Sequence, residues 1–480
     1  MKNIKYIFLS FIMAVSIYGC DKGFEDINEN IDDPVVVPSS MMIGTIVRDA
    51  MNEMYSTFNG SEIGETWSQH ASLIQYNDPD RYKPRVTSMD AMWNIFYRTA
   101  SNANQMYELA VAEGNETNQG VALVLKAYCF HVITDLYGAC PYTEALKGPS
   151  EGNFTPAYDD QEVVYAGILD LLNQSMSLLS SGNGEINGDM DIMYAGDASK
   201  WLKFAYSLKF RALMRISGVQ DVSTELQAVY NSGHLFASNS DEAKLVYLSA
   251  SPEANPLYES IVAGARGEHK LSETFINALV ASNDPRLPVM AQEAANGGYV
   301  GKPNGYEESP LAGFGYDDVS PIGANYLLPT APGYFMSYSE LLFLIAEAAK
   351  KGYISGGDAT AQSYYEAGIL NSLTENGVAG EYASFMVPAS GVVYNSTDAL
   401  ELIGTQKWIV LFCQGFEAWT EYRRTGFPEL TPAAQAYLDE IPSRLKYEST
   451  EVSVNGPNYR AVLERQGADE LTTKIWWMGN

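Results

Sequence analysis

The chain has 480 residues, 46% hydrophobic and 12% aromatic, which is ample material for a buried core and argues against disorder. Its 30 basic and 59 acidic residues give a formal net charge of −29, a surface that repels phosphate backbones and anionic lipid and speaks against nucleic-acid binding. A neutral or cationic partner suits it better.

At the N-terminus Lys2 and Lys5 precede an apolar run from Tyr6 to Val15, followed by Ser16-Ile17-Tyr18-Gly19-Cys20. A basic start and a short apolar stretch describe a secretory signal peptide over residues 1–19, since a membrane span needs about 20 apolar residues. Cys20 directly after Gly19 resembles a bacterial lipobox, which makes Cys20 the expected lipid anchor; an ordinary signal peptide beside an incidental cysteine is the plainer alternative. Residues 20–38 then read as an acidic, flexible tether. The three other cysteines, Cys129, Cys140 and Cys413, are scattered and odd in number, so they form neither a disulfide framework nor a Cys-x-x-Cys zinc pair.

From 39 to 480 helical patterns alternate with loops rich in Gly, Asn, Pro and Ser. The periodicity predicts helices over about 40–58, 88–113, 118–137, 159–180, 199–217, 336–351, 360–374 and 398–424. Asp197 or Ser199 is placed to cap one of them. Ser337 and Glu340 form the Ser-x-x-Glu pattern of a capping box for another, and Arg423-Arg424 stand where a helix terminus is negative, before Gly426. On the helix from Lys200 to Ile216 the polar residues Lys200, Lys203, Ser207, Arg211 and Arg215 leave most of the circumference apolar, so several neighbours must pack around it. Between 234 and 335 the periodicity weakens into a loop-rich insertion with short strands, laid over a helical scaffold. The expected fold is all-α.

Reactive constellations are scarce. His70, His131, His234 and His269 have no metal-ligand spacing, and His131 among apolar residues reads as a packed histidine. Gly148-Pro149-Ser150-Glu151-Gly152 spells a nucleophile elbow without the strand before it. Glu185, Asp189 and Asp191 lack the spacing of a calcium loop. No cofactor or metal is expected, while carboxylates are abundant enough to leave a glycosidase-like pair open on the residues alone.

Several runs carry a resemblance. They are Asp135-Leu136-Tyr137-Gly138-Ala139-Cys140-Pro141-Tyr142, Gly196-Asp197 through Trp201 with Ser207-Leu208 and Arg211, Asp284-Pro285-Arg286-Leu287, and Tyr338-Ser339-Glu340 with Ala346-Glu347-Ala348. Gln406-Lys407-Trp408, Gly415-Phe416-Glu417-Ala418-Trp419, Arg423-Arg424-Thr425-Gly426, Ile441 to Tyr447 and Lys474-Ile475-Trp476-Trp477 follow in order. Together they resemble the SusD/RagB-like family, in the branch with a C-terminal tryptophan pair; Ala139 and Glu448 depart from its usual acid and proline. The resemblance implies an all-α superhelix of tetratricopeptide-like helix pairs, anchored by lipid at the cell surface in the outer membrane of Bacteroidetes-type bacteria. It also implies a nutrient-binding lipoprotein, not an enzyme, that captures an oligosaccharide or peptide and passes it to a SusC-like TonB-dependent transporter. A surface glycoside hydrolase and a helical adhesion or scaffold lipoprotein are the alternatives.

Sugars present flat C–H faces ringed by hydroxyls, so their sites want aromatic platforms with polar edges. Two stretches offer that chemistry outside the regular helices. The first supplies Trp67, Gln69, Tyr76, Asp80, Arg81 and Tyr82; the second supplies Asn304, Tyr306, Phe314 and Tyr316.

Overall fold

Apolar stripes and well-chosen caps build the scaffold of the computed structural model, which describes residues 37–306 and 314–479. Cys20 and most of the tether therefore lie outside the described residues. Helix α1 (Met41–Met54) buries Ile43, Ile46, Val47, Ala50 and Met51, the spacing of one helical face. A π-helical turn, Thr57–Ser61, leads into the short α2 (Glu62–Trp67). Helix α3 (Val86–Glu113) stops at Gly114, whose left-handed backbone suits a residue without Cβ. Asn115 caps α4 (Glu116–Tyr137) by accepting from the Asn118 amide. Although α4 is apolar and long enough to cross a membrane, its apolar window is 94% buried inside the protein, so it serves as the central post.

Around that post the helices pack in succession. α3 and α5 (Gln161–Ser181) flank α4, and α6 (Ala198–Ile216), capped by Asp197, lies against α5. α7 (Ser223–Asn231) packs on α6. Later come α8 (Glu273–Ala281), capped by Ser272, and the pair α9 (Tyr338–Lys350) and α10 (Gly357–Glu375). α11 (Ala399–Val410) packs on α9, α12 (Gly415–Thr425) packs on α2, and α13 (Gly456–Gln466) is the last long helix. This is the all-α, helix-pair architecture that the resemblance implies.

Strands are few. β1 (Ala71–Leu73) pairs antiparallel with β3 (His269–Leu271), Ser72 opposite Lys270. β2 (Ala243–Val246) pairs antiparallel with β4 (Pro332–Met336), with a register shift at Ala243/Lys244. The first pairing ties the loop-rich middle to the chain that follows α2, and the second joins the two ends of that middle just ahead of α9.

Three local expectations need correction. The stretch 398–424 is two helices, because Cys413 takes a left-handed φ of 64° between them. Ser337 does cap α9, but Glu340 does not reach back to it; its carboxylate grips Arg211 through Nε (2.7 Å) and Nη2 (2.6 Å). Arg424 is likewise no solvent-facing end charge: it binds Glu347 and Glu421 in the interior. Arg215, fully buried, meets Glu421 at 2.6 Å and Glu417, with Asp135 at 3.1 Å from its Nε in an off-axis approach. Burial works against the Arg215 charge, but Glu417, Asp135 and Glu421 outweigh it and hold its pKa well above the usual arginine value. The arginine stripe of α6 is thus a buried ionic seam joining α4, α6, α9 and α12.

Candidate functional site

Burial divides the residues expected at a sugar site. Trp67, Gln69, Asp80, Tyr82 and Asn304 lie in the interior. The Trp67 ring packs edge-on against Trp419 at 4.8 Å and Tyr82 at 6.4 Å, while its Nε1 donates to the Pro79 carbonyl. Gln69 donates to the Thr431 carbonyl and accepts from Thr274; the Tyr82 hydroxyl accepts from the Ala433 amide. Asp80 accepts from Ser72 and Asn304, with Lys302 3.7 Å away. These five are posts that hold loops to the scaffold, and they present no ring face or polar edge to a ligand here. Arg81 lies 4.6 Å over the Tyr437 ring and donates to the Gln435 carbonyl. Tyr306 and Phe314 are half-buried.

Tyr76 and Tyr316 behave differently. They are 52% and 45% exposed and line the same groove, of about 530 Å3, together with Phe58, Gln75, Arg85, Ala265, Arg266, Gly267 and Glu268. The β1–β3 pairing assembles it, since Gln75 and Tyr76 follow β1 while Ala265 to Glu268 precede β3. The Ile74 amide donating to the Glu268 carbonyl prolongs that pairing to the groove. Tyr316 arrives from the later loop, its hydroxyl donating to Gln75 Oε1 at 2.9 Å.

Phe58 stands on the π-helical turn Thr57–Ser61, and a second π-helical turn, Tyr258–Ala263, feeds the segment carrying Arg266. Such turns concentrate at functional sites, and these two adjoin the same groove. Tyr76 and Ala265 add left-handed backbone at φ 57° and 54°, conformations that cost non-glycine residues energy and also cluster where function needs them.

The electrostatics are mixed. The Arg266 guanidinium lies 4.7 Å from the Phe58 ring centre and 5.6 Å from that of Tyr76, and Arg85 lies 5.2 Å from Phe58. Burial pushes the Glu268 carboxyl up, but hydrogen bonding from Arg266 prevails and holds it below its usual value. Beneath the groove Arg85 pairs with Glu62 at 2.7 Å; burial nonetheless pushes Glu62 up to about 7. Burial also pulls the neighbouring His269 down to about 4, so it is a neutral, packed ring near neutral pH. The arrangement offers aromatic faces rimmed by amide, guanidinium and carboxylate groups, which is a set for binding polar rings.

Residue type alone did not reveal Phe58, Gln75, Arg85, Arg266 or Glu268. Their nearest sequence signal is the Gly264-Ala265-Arg266-Gly267 run, which breaks the local pattern around one cation.

A separate buried group, His131, Asp135 and Glu417, brings one ligand atom each to within 4.8 Å of the others. Both carboxylates already hold Arg215, so the cluster is charge-compensated by protein. His131 is packed as its surroundings suggested, with burial pulling its pKa down to about 4.

A family model described as starch-binding and associating with outer membrane, named SusD-like, matches residues 32–448. A solved chitin-binding protein is 26% identical, with a TM-score of 0.80, covering 92% of this chain and 100% of its own. A chitin-binding SusD homolog from Flavobacterium johnsoniae is 24% identical, with a TM-score of 0.78 over 92% of this chain and 98% of its own. A SusD homolog from Bacteroides fragilis is 26% identical, with a TM-score of 0.74 over 92% and 99%. The comparison with curated proteins finds no match. Helix-pair scaffold, ordered motifs and a family match over most of the length agree: the chain belongs to the SusD-like family of outer-membrane-associated, carbohydrate-binding proteins.

Proposed function

We propose that this protein captures an oligosaccharide at the cell surface in the groove between Phe58, Tyr76 and Tyr316 and passes it to a SusC-like TonB-dependent transporter, tethered by lipid on Cys20. One observation carries this reading: two tyrosines about half exposed face a common groove whose edges are hydrogen-bonding groups. A sugar ring gains from stacking on an aromatic face while its hydroxyls meet polar edges, and this groove brings the two together. The chitin-binding description of two similar solved proteins makes β-linked amino-sugar oligomers the first ligands to try. The groove binds and releases; its carboxylate, Glu268, is committed to Arg266.

The test is titration calorimetry of the mature chain against chito- and malto-oligosaccharides. Tyr76→Ala and Tyr316→Ala are each expected to weaken binding roughly tenfold, about 1–2 kcal/mol for one stacking ring, with the folded circular-dichroism spectrum unchanged. Unchanged affinity in the double variant removes the ligand from this groove.

A further inference from the structure

A second cavity, of about 220 Å3, shares no lining residue with the tyrosine groove. It lies between β4, the end of α10 and the turn joining α11 to α12, and Asn325, Tyr326, Tyr334, Glu375, Phe412 and Gln414 carry its chemistry. Tyr326 packs edge-on against Phe412 with ring centres 5.0 Å apart, which makes an aromatic wall.

Polar groups beside that wall lack partners. Gln414 is 8% exposed, yet its side-chain amide makes no hydrogen bond with any described residue. The left-handed backbone of Cys413, φ 64°, turns the chain there and brings Gln414 to the cavity. Neither polar atom of that amide is sealed in the packing, so a ligand can reach both. The other hollow that Gln414 borders measures about 20 Å3, room for one water, which cannot meet an amide with two donors and two lone pairs. The Tyr334 hydroxyl and the Asn325 side-chain amide also have no hydrogen-bond partner among the described residues. Burial, then Glu242 and Glu375, hold the Tyr334 phenol well above its usual value, so it keeps its proton for donation.

The cavity wall is uncharged. No lysine, arginine or histidine is among its described lining residues, and its one carboxyl, Glu375, is hydrogen-bonded to Glu242. Glu242 already accepts from the Tyr338 amide at 2.9 Å and from Lys244 at 2.8 Å, so the shared proton rests on Glu375. Burial and Glu242 push Glu375 up to about 9, which keeps it neutral near neutral pH. An ionic ligand would lose its hydration here without gaining a counter-charge.

We propose that this cavity is a second binding site, taking one neutral sugar ring edged by hydroxyls. The amides of Gln414 and Asn325 each present donor and acceptor together, as neighbouring hydroxyls do, and Tyr326 and Phe412 meet the ring's C–H face. The volume is below the ~300 Å3 at which sites for larger ligands begin, so it admits a ring and not a chain. The assignment stands whether or not the tyrosine groove binds its oligosaccharide.

Ligand-observed NMR on the mature chain with glucose, galactose and mannose tests this, with the uronate and the 2-amino counterpart of each. At least one neutral hexose is expected to bind, and its charged counterparts roughly tenfold more weakly. Gln414→Ala and Asn325→Ala are each expected to weaken that hexose roughly fivefold, the worth of one neutral hydrogen bond. Asn325 is exposed, so its variant keeps the test open where Gln414→Ala disturbs folding. The Tyr76→Ala/Tyr316→Ala protein is expected to bind the hexose as wild type does. No binding of any of the three, charged counterparts binding equally well, or unchanged affinity in both cavity variants overturns the second site. Hexose binding lost with the two tyrosines places the ring in the groove and overturns it as well.

Discussion

Arg215→Met is expected to lower the unfolding free energy by about 3–5 kcal/mol, the cost of leaving buried carboxylates without their counter-charge. Arg215 is fully buried and is the shared partner of Glu417, Glu421 and Asp135. Methionine matches the stem but supplies no donor, so Asp135 keeps its bonds from Tyr165 and Trp477 Nε1 and the 3.5 Å approach of His131. Glu421 still has Lys407 and Arg424, whereas Glu417 retains only the longer approach of Arg211 at 3.9 Å. The double change Arg215→Met/Glu417→Gln is therefore expected to recover part of the loss. Urea unfolding followed by tryptophan fluorescence reads both; a single variant with an unshifted midpoint contradicts the ionic seam as a structural element.

The second large effect is Gly64→Ala. A Cβ on Gly64 would lie 2.4 Å from the Gly415 carbonyl carbon and the Phe416 nitrogen, and one on Gly415 would lie 2.3 Å from the Glu65 nitrogen. Backbone touches backbone here, so no side chain can rotate away, and α2 must separate from α12. Overpacking of this kind costs about 1–3 kcal/mol, and the rigid obstacle puts this case at the upper end. Because α2 follows the turn that carries Phe58, oligosaccharide affinity is expected to fall along with stability. A Gly64→Ala protein with wild-type midpoint and affinity rules out that close approach.

What the sequence disclosed follows from range. Caps and stripes are local, so the helices 88–113, 118–137, 159–180 and 199–217 are legible to within two residues of α3, α4, α5 and α6. The break after Val410 was not, because the left-handed residue is Cys413 rather than glycine. Arg211 and Arg215 read as a polar stripe since their partners stand 129 and 206 residues away in Glu340 and Glu421. Exposure is equally non-local. Trp67 and Tyr76 look alike as platforms, yet residues 61–73 are buried throughout and the chain surfaces only from Ile74, so the tyrosine reaches solvent and the tryptophan does not. Tyr316 reaches the groove of Tyr76 from a later loop, tied to β3 where the Leu271 amide donates to the Ser320 carbonyl and to Gln75 by its own hydroxyl, contacts that no short-range pattern announces.

The most direct measurement is a crystal structure of the mature chain soaked with a chito-oligosaccharide. A sugar ring seated on Tyr76 and Tyr316 beside Phe58 is the expected result. Ligand density in another place, such as the cavity between Tyr55, Tyr326 and Phe412, with the tyrosine groove holding only solvent, contradicts it.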